Sequence, residues 1–283
     1  MKKTVYTLFL LMVVLFGFFG CSNTAEIENS QIYEKNAFRI VRQANNDGQI
    51  ALTYIFPLNS DYLLSLGYDE NDVKTYKFYL TTYVNALAQS NKEKETDGTT
   101  VGDCVYFSDV DGIGFSIKFE NLQAQKEFFN IEDNEENETS SDNKVSGFFI
   151  KKIELKTKFP VSSSKSAGDL KMICNMAISS WCNNNDIADD QKLKILDYLE
   201  NSIFIYDFAT QQKNLKSDVM YSDEYFYHNV FIKTMDDIEE NNEIVFWVTY
   251  ANRPVWYAFA VVVVVVGMVC AYYFLIRKNK KKN

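Results

Sequence analysis

Hydrophobic and polar positions along the chain divide it into two apolar ends and a mixed interior. The apolar run 5–19 follows two lysines and leads into Gly20-Cys21. A second run, 255–276, carries no charged residue and precedes a basic tail. Between the ends, apolar residues recur with a period of two in some segments and of three to four in others. This pattern indicates strands and helices of a packed globular region.

The C-terminal run 255–276 predicts a transmembrane helix. At about 1.5 Å per residue such a helix reaches roughly 33 Å, enough to cross a hydrocarbon core of about 30 Å. Trp and Tyr residues lie near its two ends, where aromatic rings prefer the membrane interface. The basic tail 277–283 places the C-terminus in the cytoplasm by the positive-inside rule. We therefore expect a single-pass membrane protein whose preceding domain lies outside the cytoplasm.

The N-terminal segment 1–20 has the layout of an export signal, with a basic start, an apolar centre and small residues after it. Gly20-Cys21 is similar to the end of a bacterial lipobox, in which the cysteine is lipidated. Phe18 and Phe19 depart from the Leu and the small residue that lipoboxes usually carry. Lipidation at Cys21 tethers both ends of the mature domain to one membrane. Ordinary signal cleavage a few residues later and an uncleaved anchor stay open as alternatives.

The interior predicts an α+β fold, mainly antiparallel β-sheet with a few packed helices. Two β-rich runs flank Asn46-Asp47-Gly48, a sequence typical of tight hairpin turns. Asp69 or Asn71 can cap a helix that runs to about Ser90, with apolar residues at spacings of three and four on its buried face. Further strands are expected at 101–108, 115–119, 145–161, 203–208, 221–232 and 244–250, and further helices at 60–66, 121–129, 169–182 and 189–201.

One extracytoplasmic domain, 36–253, is expected between a polar leader, 21–35, and the transmembrane helix. Residues 131–144 contain almost no apolar side chains, which predicts an acidic, disordered loop. The helices and loops of 160–240 suggest an insertion into this domain.

Charge is distributed unevenly along the chain. The net charge is −9, but all 38 acidic residues lie between Cys21 and the C-terminal apolar run, whereas seven of the 29 basic residues lie outside this region. The region therefore holds 22 basic and 38 acidic residues, a net charge of about −16. Such a domain is repelled by nucleic acid and by bare anionic lipid, which argues against a nucleic-acid-binding role.

Cysteines are sparse. Outside Cys21 and Cys270, the chain has Cys104, Cys174 and Cys182. Three cysteines leave at least one without an intrachain partner. A disulfide between Cys174 and Cys182, or three reduced and buried thiols, are the alternatives.

Few residues suggest catalytic or metal chemistry. His228 is the single histidine, and an edge or core position suits it better than catalysis because no nucleophile motif accompanies it. Asp109-x-Asp111-Gly112 is similar to part of a calcium loop but lacks the later Glu, so a hairpin turn explains it better. We therefore expect no catalytic, cofactor-binding or metal-binding residues and no cofactor.

The predicted helix that follows Asp69 carries four aromatic residues that permit two interpretations. Tyr76, Phe78, Tyr79 and Tyr83 belong to the core of the domain, or they line an apolar cleft that holds a lipid or a peptide.

Four sets of residues together form a layout found in a known family. They are Gly20-Cys21, the hairpin around Asn46-Asp47-Gly48, the strand Gly112-Ile113-Gly114-Phe115-Ser116-Ile117 that leads into 119–122, and the ending 251–257. In these residues the chain resembles the LppM-like domain family of bacterial extracytoplasmic, membrane-anchored (lipo)proteins, most of all over 36–129 and at both ends. The resemblance implies a β-rich envelope domain and no defined enzymatic activity.

The expected function is that of a membrane-anchored extracytoplasmic binding or structural protein of the bacterial cell envelope, in contact with a lipid or an envelope protein. Two alternatives stay open. One is an envelope hydrolase with an unrecognised site. The other is a eukaryotic type I receptor-like protein, in which the sequon at Asn137 would be glycosylated.

Overall fold

The computed structural model describes residues 34–130, 149–160 and 164–279. The export signal 1–20, the lipidation of Cys21 and the acidic loop 131–144 lie outside the described residues and stay predictions.

The described residues form eleven strands and seven helices, and the expected α+β class with a mainly antiparallel sheet is confirmed. The strands are β1 (Ala37–Ala44), β2 (Ile50–Pro57), β3 (Thr99–Val101), β4 (Val105–Phe107), β5 (Gly112–Phe119), β6 (Ile150–Lys158), β7 (Ile203–Thr210), β8 (Leu215–Lys216), β9 (Val219–Ser222), β10 (Tyr227–Lys233) and β11 (Glu243–Ala251). The helices are α1 (Ser60–Ser65), α2 (Glu70–Lys92), α3 (Leu122–Phe129), α4 (Ser164–Asn184), α5 (Asp189–Glu200), α6 (Met235–Glu240) and α7 (Arg253–Asn279).

Most strands belong to one eight-stranded sheet in the order β3-β5-β2-β1-β7-β10-β9, with β4 also paired to β5. Within this sheet β1 and β7 pair in parallel, whereas the other described pairs are antiparallel. The strands β7, β9 and β10 come from 160–240, the segment that the sequence suggests as an insertion, and they form the part of the sheet beyond β1. A second sheet consists of the long β6–β11 ribbon and the short β8.

The β1–β2 hairpin forms where its sequence predicts it. The backbone N–H of Asn45 donates to the Gln49 carbonyl at 3.0 Å. Gly48 has φ 90°, a conformation that glycine adopts at no steric cost. The hairpin prediction is therefore confirmed.

Helices α2 and α4 cover one face of the main sheet and form the core with it. Side chains that alternate along the strands, such as Phe38, Phe115 and Phe204, are almost fully buried there. The Phe38 and Phe204 rings stack with centroids 5.3 Å apart across the parallel pair. Trp181 of α4 is fully buried in the helical layer.

The cap predicted for α2 is confirmed at Asp69. Its carboxylate accepts the backbone N–H groups of Asn71 and Asp72, and the Asp72 side chain accepts the N–H of Asp69 in return. This capping box fixes the start of the helix by satisfying N–H groups that have no partner within it.

The aromatic residues of α2 divide between the core and the surface. Tyr76 is buried beside Trp181, with ring centroids 5.2 Å apart. The Tyr83 hydroxyl lies 2.6 Å from Ser180 Oγ of α4. Phe78, in contrast, is 67% exposed. The core interpretation therefore holds for Tyr76, whereas Phe78 points to solvent.

Two predicted strands are divided in the structure. The prediction of one strand at 101–108 is corrected to the end of β3 followed by β4, and that at 221–232 to β9 and β10. Between β9 and β10, Asp223 Oδ1 accepts the backbone N–H groups of Tyr225 at 2.7 Å and Phe226 at 2.6 Å. These hydrogen bonds from backbone N–H groups to a side chain stabilise a turn that the sequence pattern of 221–232 did not predict.

The cysteine alternatives are resolved in favour of free thiols. Cys104, Cys174 and Cys182 are all free, and the last two are buried in α4. Eight residues along a helix correspond to about 12 Å, whereas a disulfide requires Cα atoms within about 7 Å. Residues 164–167, which precede the predicted helix 169–182, form the first turn of this helix.

The predicted transmembrane segment 255–276 lies within α7, which follows β11 after Asn252. Within the described ranges, no helix combines the length and the apolar composition needed to cross a membrane. The transmembrane assignment is therefore not supported by the structure and stays a proposal.

Two glycines let β5 approach β2 closely. A Cβ atom at Gly114 would lie 2.1 Å from the carbonyl oxygen of Tyr54 and 3.1 Å from Cα of Ile55. A Cβ atom at Gly112 would lie 2.4 Å from Cγ2 of Ile55. These distances are too short for any side chain, so the pair β2–β5 requires glycine at both positions.

We expect Gly114→Ala to lower the free energy of unfolding by roughly 1–3 kcal/mol, the usual cost of overpacking, or to prevent folding. Gly168→Ala in α4 is the matched control, because a Cβ atom there meets nothing within 4 Å. Alanine at that helical position should leave stability unchanged or raise it by up to about 1 kcal/mol. Urea unfolding followed by circular dichroism measures both variants. Equal stability of Gly114→Ala and the wild type would contradict the close approach.

Candidate functional site

The face of the main sheet opposite α2 and α4 carries a cleft of about 270 Å³. We call it the outer-face cleft. Its walls combine ionisable with apolar side chains, contributed by β1, β2, β4, β7, β9, β10 and the turn before β5. The lining residues are Arg39, Val41, Gln43, Thr53, Ile55, Phe107, Asp109, Val110, Ile205, Asp207, Tyr221, His228 and Val230.

Strand register brings the polar residues of the cleft together. Asp207 of β7 lies opposite Val230 of β10, and His228 is two residues before Val230. Residues two apart in a strand share a face, so Asp207 and His228 are diagonal neighbours. Tyr221 of β9 lies directly opposite His228.

His228 is held between two carboxylates. Its Nδ1 lies 2.9 Å from Asp207 Oδ2 and 3.0 Å from Asp207 Oδ1. Its Nε2 lies 3.1 Å from Asp223 Oδ2. A ring that meets carboxylate oxygens at both nitrogens makes two hydrogen bonds only as the doubly protonated imidazolium. The geometry therefore favours the charged form of His228.

Tyr221 supports this arrangement from one side. Its ring stacks on the imidazole with centroids 4.2 Å apart and planes 9° apart. Its hydroxyl donates to Asp207 Oδ2 at 2.8 Å. Tyr221 thus fixes the plane of the imidazole and the position of the carboxylate that pairs with it.

Electrostatics raise the pKa of His228 above its ordinary value of 6.5. Burial lowers this pKa, but the hydrogen bond and charge of Asp207, followed by those of Asp223, outweigh burial. The backbone N–H groups of Phe226 and Tyr225 in turn lower the pKa of Asp223. Asp223 therefore stays ionised and favours a charged His228.

Arg39 supplies the second cation of the cleft. It is buried, and its Nη2 donates to the Glu34 carbonyl at 2.6 Å. Burial lowers its pKa, against the opposing charges of Asp109 and other acidic groups. Since an ordinary guanidinium stays protonated far above neutral pH, Arg39 remains charged in the cleft.

Asp111 has a structural role in the turn that was compared with a calcium loop. Its carboxylate accepts the backbone N–H of Ser60 at 2.7 Å, the Ser60 hydroxyl at 3.0 Å and the Tyr106 hydroxyl at 3.0 Å. It thereby ties the turn before β5 to the start of α1. Within the described residues, no group of three or more His, Cys, Asp or Glu side chains could hold a metal ion.

Sequence analysis singled out His228 but not the residues around it. Arg39 and Asp207 are charged residues that interrupt the apolar runs AFRIV of β1 and IFIYDF of β7. Such residues need a polar partner once they are buried, which is a signal for a polar site. His228, the partner of Asp207, is 21 residues away along the chain, and this pairing follows only from strand order.

The hydrogen bonds of His228 occupy both of its ring nitrogens. Both nitrogens of His228 engage carboxylates, so neither is left to take a proton from a hydroxyl or thiol nucleophile.

No family model, curated protein or solved structure matches the chain. The resemblance to the LppM-like family therefore stays a prediction.

We expect the imidazole of His228 to titrate with a pKa above 6.5, because two carboxylates stabilise its charged form. Its stabilising contribution is then fully present below about 6.5, the unfolded value, and is lost as the pH rises through the folded pKa. The histidine is the only one in the chain, so its ¹H–¹³C NMR signal reports the titration directly in protein without a histidine tag. A pKa at or below 6.5 would contradict the paired geometry.

Three variants test this titration further. Asp207→Asn should lower the pKa of His228 more than Asp223→Asn, because the Asp207 side chain is 11% exposed and that of Asp223 is 49% exposed. Solvent screens the more exposed charge. His228→Gln should unfold in urea with a weaker dependence on pH than the wild type between about pH 6 and 9.

Proposed function

We propose that this protein is a membrane-anchored extracytoplasmic binding protein of the bacterial cell envelope, and that it is not an enzyme. Helix α7 carries the proposal of an anchor. It is 27 residues long and contains the uncharged run 255–276. Support comes from the sequence of the whole run together with the exposure of its described side chains.

The exposure of α7 suits an apolar environment. Val262 and Val264 are 57% and 58% exposed. With about 100° of rotation per residue, these two side chains lie on nearly opposite sides of the helix. A helix that packs on its own domain through one apolar stripe would expose polar residues on the other side. A lipid bilayer provides a partner for both sides.

The flanks of α7 support one orientation. Trp256 and Tyr257, 37% and 71% exposed, lie at its start, where interfacial aromatic residues are expected. The basic tail 277–283 follows the apolar run 255–276 and favours the cytoplasm. The α+β domain then lies on the outer side, in agreement with the export signal predicted at 1–20. Lipidation at Cys21 supplies a second tether.

The outer-face cleft supports a binding role. Its volume of about 270 Å³ lies just below the range of ligand pockets, which is roughly 300–1,000 Å³. A whole phospholipid is too large for it. Cations at Arg39 and His228 alternate with carboxylates at Asp109 and Asp207, so the favoured ligand is a small polar molecule that carries groups of both charges.

The anchor is tested with the full chain and a variant that ends after Arg253. We expect the full chain to float with liposomes and to resist extraction at alkaline pH, because α7 is buried in lipid. The shortened variant, produced without 1–20, should stay at the bottom of the gradient. A full chain that fails to float, or that alkaline washing releases, would overturn the proposal of a spanning helix.

The cleft is tested by filling it. We expect Val41→Trp to displace a small molecule that copurifies with the wild type from native membranes, because Val41 lines the cleft. Mass spectrometry of the small molecules released by denaturation measures the loss. Ala51→Trp is the control, since Ala51 lines a separate cleft of about 430 Å³. If denatured wild type and denatured Val41→Trp release the same small molecules, the binding role is contradicted.

A further inference from the structure

The β6–β11 ribbon contacts the first turn of α7. Ile150 pairs with Ala251, so both strands reach α7 at the same level. The backbone N–H of Asn252 donates to the Phe149 carbonyl at 2.8 Å. The Phe149 ring packs on Trp256, with centroids 5.2 Å apart. The end of the ribbon is therefore fastened to the first turn of the helix.

Positive charge is concentrated at this end of the ribbon. Lys151 lies opposite Tyr250 and Lys152 lies opposite Thr249. Together with the exposed Arg253 they place three cations, and no carboxylate, among residues 150–152 and 249–253. We call Lys151, Lys152 and Arg253 the ribbon base.

The far end of the ribbon has a different charge balance. Lys156 lies 3.6 Å from Glu243, a partner on the neighbouring strand. Glu154 lies between the two ends of β6. The Lys152 ammonium group lies over the Trp247 ring, 3.9 Å from its centroid. Beyond the base, these two strands carry Lys156 and Lys158 against Glu154 and Glu243, so their excess of cations is confined to the residue pairs nearest α7.

The distance from α7 decides which of these charges can reach a membrane surface. At about 3.4 Å per residue, the rungs of Lys151 and Lys152 lie within roughly 10 Å of Asn252. The head-group layer of one leaflet is about 5–7 Å thick, and charges act over a Debye length of about 8 Å at physiological salt. The ribbon base thus lies at the level of lipid phosphates, if α7 spans the membrane.

We propose that the ribbon base binds the head groups of anionic phospholipids and sets the orientation of the domain on the membrane. The proposal rests on the membrane anchor proposed above. The rest of the domain is strongly acidic and is repelled by such a surface. Attraction at the base and repulsion elsewhere together orient the ribbon with its base toward the lipid.

The first test uses the unmodified full chain in liposomes of phosphatidylcholine alone and of phosphatidylcholine with phosphatidylglycerol. Brief acetylation from outside, followed by peptide mass spectrometry, measures the reactivity of each lysine. We expect Lys151 and Lys152 to react more slowly in the liposomes with phosphatidylglycerol, because head-group phosphates engage them. The exposed lysines Lys74, Lys94 and Lys194 are internal controls and should react at equal rates in both.

Flotation of the same samples separates the two proposals. A chain that floats with neither lipid mixture overturns the anchor. A chain that floats with both mixtures, with equal reactivity of Lys151 and Lys152 in each, overturns the ribbon base and leaves the anchor intact.

The second test compares two variants that lose the same charge. One is the triple change Lys151→Gln, Lys152→Gln and Arg253→Gln; the control is Lys74→Gln, Lys94→Gln and Lys194→Gln. Each cation near an anionic surface contributes about fivefold to affinity, so the base variant should lose up to about 100-fold in its preference for phosphatidylglycerol over phosphatidylcholine. Native mass spectrometry of retained lipid measures this preference. The cytoplasmic tail contributes equally to both variants, and an equal loss in both would overturn the proposal.

Discussion

The parallel pairing of β1 with β7 is the constraint on which the rest of the structure depends. It runs over eight residue pairs, from Ala37 opposite Ile203 to Ala44 opposite Thr210. Parallel neighbours cannot be joined by a tight turn, so the intervening chain must cross over and return. The helices of that crossover, above all α2 and α4, bury the face that carries Phe38 and Phe204. The opposite face is left to form the outer-face cleft.

The same pairing explains why the cleft is polar within a well-packed sheet. On β1 and β7 the residues that alternate with the core include Arg39 and Asp207, and register adds His228 from β10. Burying an isolated charge raises the free energy of the folded state. The attraction between these neighbouring opposite charges offsets that increase. A set of charges that compensate one another in this way favours one arrangement of the strands and presents groups of both signs to a ligand.

Local signals predicted the local elements well, and tertiary contacts account for what they missed. Asn46-Asp47-Gly48 forms its turn and Asp69 caps α2, because each acts within a few residues of itself. Asp111, in contrast, ties its turn to α1 across the fold, and no spacing in the sequence shows that bond. The partners of His228 depend on strand order, which a single sequence does not encode locally. The break between β9 and β10 was missed because aromatic residues continue through the turn at Asp223.

Burial of the thiols bears on the export proposed for this domain. Burial raises the pKa of Cys104 to about 11 and also raises that of Cys174 and Cys182. Thiolates are the species that oxidants and disulfides attack, so the folded domain keeps these sulfurs unreactive. Once unfolded in an oxidising compartment, the same cysteines would form mixed disulfides and prevent return to the native state. Packing of α4 therefore protects Cys174 and Cys182 from oxidation. In the extracytoplasmic location proposed above, the lifetime of the protein would depend on how rarely that helix detaches.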